Sequence, residues 1–162
     1  MQLHLPHTSG CLVCGRDNPL GLHLNFVVED ATGIVRAEFT PGKHHIGFTG
    51  IAHGGIVATV FDEAMVWAAT WSGKRFCVCG ELTVRFRQVA EVGKALAIEA
   101  KIVSARPRLI QTSATAVDGE GRVIAEASGK YVPMTVERHG EMMGTIIPEV
   151  ESEIASSALR AV

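Results

Sequence analysis

The fold of this chain is decided by residues 53–71, which read HGGIVATVFDEAMVWAATW. Apolar residues recur along this stretch at a helical period, and no proline interrupts them. Most sides of such a helix are apolar, which is typical of a helix buried inside a protein. The following Ser72-Gly73-Lys74 ends the pattern. The sequence therefore predicts a long central helix over about residues 54–71.

The segments on both sides of this helix are strand-like. Two shorter β-rich segments precede it and four longer ones follow it, separated by glycine- or proline-containing turns: 22–28, 34–39, 76–88, 94–105, 108–117 and 122–134. Apolar and polar residues alternate around Val84, as in a sheet that packs one face on a helix. This order predicts an α+β fold in which an antiparallel sheet of about six strands wraps the helix.

The two ends of the chain have weaker patterns. Residues 1–21 contain His, Pro, Gly and Cys without periodicity, and we interpret them as an irregular N-terminal arm. The predicted domain occupies residues 22–134. Residues 135–162 form a C-terminal tail with a possible short helix at 149–159. A length of 162 residues fits one domain with a proper core.

The amino-acid composition limits the classes of partner that this chain is expected to bind. The chain is 47% hydrophobic and 20% charged, and its net charge of −2 provides no basic field for nucleic acid or an anionic membrane. No secretory signal and no membrane-spanning stretch is evident, so four cysteines favour reduced thiols. We therefore expect a cytoplasmic protein that binds neither nucleic acid nor a membrane.

The first half of the helix contains the residues that are best suited to a chemical role. Gly54 and Gly55 permit close approach of another group and leave N–H donors that suit an oxygen gaining negative charge. Asp62 follows among apolar residues, where a carboxylate is costly unless it is paired or used. A purely structural interpretation also stays open at this point. In that interpretation the glycines serve packing, and Asp62 faces solvent or pairs with an arginine.

A family resemblance adds to this interpretation. The string His53-Gly54-Gly55, with Asp62 nine residues after the histidine, resembles the hotdog-fold thioesterases, specifically their PaaI-like branch from phenylacetic acid metabolism. The opening CLVCGRDNPLGL at 11–22 and the strand ELTVRFR at 81–87 are also similar to members of this superfamily. The resemblance spans about residues 11–134. It implies an acyl-CoA thioesterase that needs no cofactor beyond the CoA of its substrate.

The resemblance also implies residue roles. The Gly54 N–H would polarise the thioester carbonyl, and Asp62 would act as general base or nucleophile. His53 would position the site, and Gly55 would contact the substrate. The neighbouring carboxylate, Glu63, points about 100° away from Asp62 on a helix, and the motif spacing selects Asp62.

Two positions depart from the family pattern. Relatives often carry a water-positioning Asn six residues before the histidine, where this chain has Gly47. Many place a Ser or Thr near the base, where alignment puts Cys79 and, as a second choice, Thr83. We expect these three residues on the substrate side of the site.

The spacing of the helix residues predicts an oligomer. Gly54 and Asp62 lie roughly 12 Å apart along one helix, so one thioester carbon cannot meet both. Two antiparallel helices across a twofold axis would place Gly54 of one chain beside Asp62 of the other. We therefore expect a homodimer or a dimer of dimers.

The four cysteines are candidate ligands for a metal ion. Cys11 and Cys14 have half the spacing of a zinc knuckle, but Cys77 and Cys79 have the wrong spacing for the other half. We therefore expect no metal.

Two other functions stay open. A non-catalytic dimer that binds acyl thioesters would keep the fold without needing a carboxylate at Asp62, and the residues at 47 and 79 favour it. A hotdog dehydratase or hydratase would usually carry a Pro-Gly helix start, and its absence here counts against that function.

Overall fold

The computed structural model describes residues 1–161. Its elements in chain order are β1 (Gln2–His4), β2 (Val27–Glu29), β3 (Val35–Phe39), α1 (Gly54–Gly73), β4 (Cys77–Phe86), β5 (Leu96–Arg106), β6 (Leu109–Asp118), β7 (Val123–Pro133), α2 (Val136–Met143) and α3 (Glu153–Arg160). A short 3₁₀ turn, Val150–Ser152, precedes α3. This order confirms the predicted α+β fold.

The strands form one antiparallel sheet in the order β1-β2-β3-β5-β6-β7-β4. Helix α1 packs against the strands from β3 to β7. Phe61 and Met65 of the helix are fully buried, as are Ala100 and Ala116 of the sheet. Complete burial of a large apolar side chain contributes about 1.5–3 kcal/mol, so this contact fixes the position of α1.

Both ends of α1 are capped. The His53 Nδ1 atom accepts a hydrogen bond of 2.9 Å from the Gly55 N–H. At the other end Lys74 adopts a left-handed φ of 55°, and its ammonium lies 3.8 Å from the centre of the Trp71 ring. These caps explain why the helix agrees with its predicted bounds within two residues.

The sheet has seven strands rather than about six. The additional strand, β1, lies in the arm that the sequence indicated to be irregular, and it pairs with β2. Three residues are too few to show a period, and the burial of Leu3 became evident only in the fold. Residues 22–26 were predicted as strand but lie outside β2, because their backbone bonds to the arm, as in Leu22 N–H to Leu12 O at 2.8 Å.

The tail contains two helices. The predicted helix at 149–159 is present as the 3₁₀ turn and α3, whereas α2 was not predicted because its sequence is largely polar. Its one buried residue, His139, accepts a hydrogen bond at Nδ1 from the Phe76 N–H, and its Nε2 bonds to the Leu159 carbonyl. Leu159 and Leu3 belong to the same apolar core, so the arm, the central domain and the tail share one core.

None of the helices within residues 1–161 is long and apolar enough to cross a membrane.

Candidate functional site

The first candidate group is the N-terminus of α1. The N–H of Gly54 has no acceptor among the described residues, whereas the Gly55 N–H is taken by His53. A Cβ at Gly54 would lie 3.1 Å from the Phe86 Cζ atom. The glycine therefore serves packing and also leaves one N–H available at the positive end of the helix.

Gly47 lies beside this N-terminus. Its N–H donates to the Ile51 carbonyl at 2.9 Å, and a Cβ at this position would lie 3.1 Å from the Cα of His53. The glycine thus allows the loop to approach the helix start closely. It has no side chain with which to hold a water, so the role of the family Asn is not reproduced by this residue.

The second candidate group is Asp62. Its half-buried carboxylate accepts a hydrogen bond of 2.8 Å at Oδ1 from the Tyr131 hydroxyl. Tyr131 is fully buried, and burial, followed by the charge of Asp62, raises the pKa of its hydroxyl above the usual range. The hydroxyl is therefore a permanent donor that orients the carboxylate.

Sequence reasoning missed Tyr131. It is the single tyrosine of the chain, and it lies on β7 at a position facing α1. The signal in the sequence is that Ala125, Ala127 and Tyr131 alternate with polar residues along β7. A polar aromatic residue in that buried row needs a partner for its hydroxyl, and a carboxylate on the facing helix supplies one.

A glycine makes room for this tyrosine. A Cβ at Gly129, two residues earlier on the same strand face, would lie 2.5 Å from the Cε2 atom of Tyr131. The tyrosine ring therefore lies over Gly129, and no other residue fits there without displacing the ring.

Cys79 completes the group around Asp62. It pairs directly with Tyr131 across β4 and β7. Burial, followed by the hydrogen bond and charge of Asp62, raises the pKa of the Cys79 thiol. A neutral thiol thus lies beside the carboxylate, at the position where the family resemblance led us to expect a hydroxyl.

A bulge in β4 decides which residue reaches Asp62. The register shifts between Cys79 and Glu81, so Gly80 is an extra residue in the strand. Thr83 consequently pairs with Ser128 on the outer face of the sheet, in a shallow cavity that Arg85 also lines. The structure brings Cys79 to Asp62 and leaves Thr83 on the opposite face.

Glu63 belongs to a different environment from Asp62. Its Oε1 atom accepts a hydrogen bond of 3.1 Å from the Trp67 Nε1 and lies 3.7 Å from the Cys11 sulfur. Burial raises the pKa of Glu63 to about 7. The neighbouring carboxylate therefore faces the N-terminal arm and does not compete for the Asp62 group.

The sheet ends in a long open edge. Strand β4 is the last strand, and within the described part of the chain only β7 pairs with it. Gly54 and Asp62 are separated by eight residues of one helix, or roughly 12 Å, so one chain does not bring them together. A long unpaired strand edge is a place where a second chain can pair.

These features define the class of protein. An antiparallel sheet packed around one long central helix, with a glycine pair at its start and a carboxylate on it, is the hotdog fold. The model of the thioesterase superfamily matches residues 49–125, from the loop before α1 into β7. The chain is similar to this superfamily over that stretch.

Solved structures share the fold. A thioesterase superfamily protein is 24% identical with a TM-score of 0.70, over 75% of this chain and 62% of that chain. The Escherichia coli PaaI protein from the phenylacetic acid degradation operon is 18% identical with a TM-score of 0.63, over 70% and 80%. A Streptococcus mutans protein bound to acetyl CoA is 17% identical with a TM-score of 0.61, over 64% and 82%. No curated protein matches the chain.

Proposed function

We propose that this protein is an acyl-CoA thioesterase of the PaaI-like branch, which hydrolyses an acyl-CoA thioester to the free acid and CoA. The observation that carries the proposal is the Asp62 carboxylate on the central helix, held at 2.8 Å by the buried Tyr131 hydroxyl. Similarity to the thioesterase superfamily over residues 49–125 supports thioester chemistry. The Streptococcus mutans neighbour bound to acetyl CoA supports this class of ligand.

In the proposed reaction Asp62 acts on the attacking water. As general base it takes a proton from water while the water oxygen bonds to the thioester carbon. Collapse of the intermediate breaks the carbon–sulfur bond, and the CoA sulfur takes the proton back. In the alternative route Asp62 attacks the carbon itself and expels the CoA thiolate, and water then hydrolyses the resulting anhydride and supplies the proton that the thiolate takes up. The Tyr131 hydroxyl serves both routes by fixing the carboxylate.

The Gly54 N–H provides the partial positive charge that stabilises the carbonyl oxygen of the substrate. It lies at the start of a 20-residue helix and is free to donate to the carbonyl oxygen as that oxygen becomes negative. The loss of one such donor typically costs a factor of about 10²–10³ in kcat. His53 supports this donor by capping the next N–H, that of Gly55.

In this proposal the Gly54 N–H of one chain meets the Asp62 carboxylate of the other at the interface of a homodimer. A twofold axis that pairs the open edges of two β4 strands would bring the two central helices alongside each other, with Gly54 of one chain near Asp62 of the other. A dimer of dimers retains the same shared site. A cytoplasmic location and a reaction without a further cofactor complete the proposal.

Cys79 takes the place of the family hydroxyl. A neutral thiol is a weak hydrogen-bond donor, so it would hold the attacking water less firmly than Ser or Thr. The expected consequence is a slower enzyme rather than an inactive one, since Asp62 and Gly54 retain their roles.

The test is hydrolysis of a panel of short, medium and aromatic acyl-CoAs, followed by detection of the released thiol. Asp62→Asn keeps the shape of the side chain but removes the base, so turnover should fall by a factor of about 10²–10⁴. Glu63→Gln is the matched control, because that carboxylate faces the arm and should have a much smaller effect. Retention of most activity by Asp62→Asn would rule out its assigned role.

A non-catalytic acyl-thioester-binding dimer is the second candidate. Gly47 and Cys79, where relatives carry an amide and a hydroxyl, favour it. Saturable binding of an acyl-CoA by wild-type protein, with no thiol release above the uncatalysed rate, distinguishes it from the enzyme.

A further inference from the structure

A second cluster of reactive side chains lies away from the Asp62 group. The Sγ atoms of Cys11 and Cys14 and a carboxylate oxygen of Glu63 all lie within 4.8 Å of one another. The cysteines come from the N-terminal arm and Glu63 from α1, so the cluster joins two parts of the chain. The proposed hydrolysis uses none of these three residues.

The backbone of the N-terminal arm turns around the Cys11 sulfur and hydrogen-bonds to it. The N–H groups of Val13 and Cys14 donate to it at 3.3 and 3.4 Å. A Cβ at Gly15 would lie 2.4 Å from the Cys11 carbonyl oxygen, so the close turn requires glycine there. This turn keeps both sulfurs on the side facing the helix, and its N–H donors stabilise a sulfur that carries negative charge.

The carboxylate of the cluster lacks a protein cation among the described residues. Within residues 1–161, Glu63 makes no ion pair with Lys, Arg or His. Its carboxylate contacts the Trp67 N–H and the Cys11 sulfur. Anionic ligands of this kind in a buried place are costly unless a cation or a proton neutralises them.

Contrary to the expectation of no metal, which rested on the spacing of the four cysteines, we propose that Cys11, Cys14 and Glu63 bind a zinc ion. Two thiolates and one carboxylate are a donor set that zinc accepts, with bonds of about 2.3 Å to sulfur and about 2.0–2.2 Å to oxygen. Tetrahedral bonds of these lengths separate the donor atoms by about 3.5–3.8 Å. The Cys11 sulfur and the Glu63 Oε1 are already 3.7 Å apart.

The fourth zinc position faces a cavity. The three residues line a space of about 170 Å³, which Thr8 and Thr145 also line. Neither threonine is a usual zinc ligand, so a water or a small anion completes the coordination. Cys77 lines the same cavity but lies outside the ligand cluster, and Glu63 provides the third ligand in its place.

The ion would connect the arm to the central helix. Glu63 is adjacent to Asp62, so zinc binding at Glu63 would hold the arm against the same turn of α1 that carries the carboxylate. The proposal concerns binding of a metal and stands independently of the proposed hydrolysis.

The test measures metal content. Reduced protein is freed of metal with a chelator, reloaded with zinc or cobalt(II), desalted and analysed for metal per chain. We expect about one ion per chain in the wild type, and the cobalt form should show a thiolate-to-metal charge-transfer band in the near ultraviolet. Less than about a tenth of an ion per chain in folded, reduced protein would overturn the proposal.

Three variants locate the ion. Cys14→Ser should abolish binding, and Glu63→Gln should weaken it by more than the factor of about 10–100 that loss of a residue supporting a ligand costs. Cys77→Ser is the matched control and should bind zinc like the wild type. Unchanged binding by Glu63→Gln or by Cys14→Ser would show that this ligand set is wrong.

Alkylation of the wild-type protein gives a second measurement if the Cys14 variant fails to fold. Zinc should protect Cys11 and Cys14 from iodoacetamide, as measured by peptide mass spectrometry, and should leave Cys79 unaffected. Equal alkylation of the Cys11 peptide with and without zinc would count against the proposal.

Discussion

The Tyr131 hydroxyl donates a hydrogen bond to the Asp62 carboxylate across 2.8 Å, although 69 residues separate the two in sequence. The same hydroxyl lies 3.3 Å from the Asp62 backbone carbonyl. A hydrogen bond to a charged group contributes about 1.5–3 kcal/mol. Strand β7 therefore fixes the orientation of a carboxylate that α1 supplies.

Removal of this hydroxyl should slow the reaction without weakening substrate binding. Tyr131→Phe keeps the buried ring but releases Asp62, so we expect kcat to fall by about tenfold, the equivalent of about 1.4 kcal/mol, with KM nearly unchanged. Thiol release from the best acyl-CoA of the panel measures both constants. An unchanged kcat would contradict the positioning role.

Gly129, which lies under the ring of Tyr131, should not tolerate an added methyl group. In Gly129→Ala the new Cβ would lie 2.5 Å from the tyrosine ring, so the ring must move. We expect a loss of about 1–3 kcal/mol in the free energy of unfolding, measured by urea titration, together with a reduced kcat. Gly119→Ala is the control, because nothing lies within 4 Å of that position. Equal stability of the two variants would contradict the close packing.

The contact between Cys79 and Asp62 can be tested without substrate. Because the carboxylate raises the pKa of the thiol, Asp62→Asn should lower that pKa and increase the thiolate fraction at pH 8. We expect the Cys79 peptide to be alkylated several times faster in the variant, as followed by mass spectrometry. Glu63→Gln, compared in metal-free protein, is the control and should leave the rate unchanged. A slower or identical rate in Asp62→Asn would place the thiol away from the carboxylate.

The shared site can be tested by mixing two inactive variants. Asp62→Asn removes the base, and Gly54→Pro removes the N–H donor at a position in the first helical turn that tolerates proline. The half-exposed Phe86 ring has room to shift from the new side chain. Each variant alone should be nearly inactive.

After the two variants are unfolded and refolded together in equal amounts, half of the dimers should be mixed. One of the two sites in each mixed dimer combines an intact Gly54 with an intact Asp62, so activity should recover to about a quarter of wild type. If each site were built within one chain, mixing would restore nothing. No recovery, with mixed dimers shown by mass spectrometry, is the outcome that excludes a shared site.

The local sequence determined the central helix and the long strands. A helical period without proline, a histidine cap and a glycine-lysine end are signals within a few residues of one another, and α1 follows them closely. The alternation around Val84 likewise predicted β4. Three residues of β1 and the polar sequence of α2 carry no such period, and their positions depend on burial against the rest of the core.

The sequence by itself predicted a chemical role for Asp62 and Gly54, because a carboxylate on an apolar helix and paired glycines at its start are recognisable without the fold and match the family motif. Only the tertiary structure decided their surroundings. Tyr131, Cys79 and Glu63 acquire their partners from segments distant in sequence, because strand pairing, a single-residue bulge and helix packing set which side chains meet. Local patterns report periodicity, whereas contacts between distant segments follow from how the whole core packs.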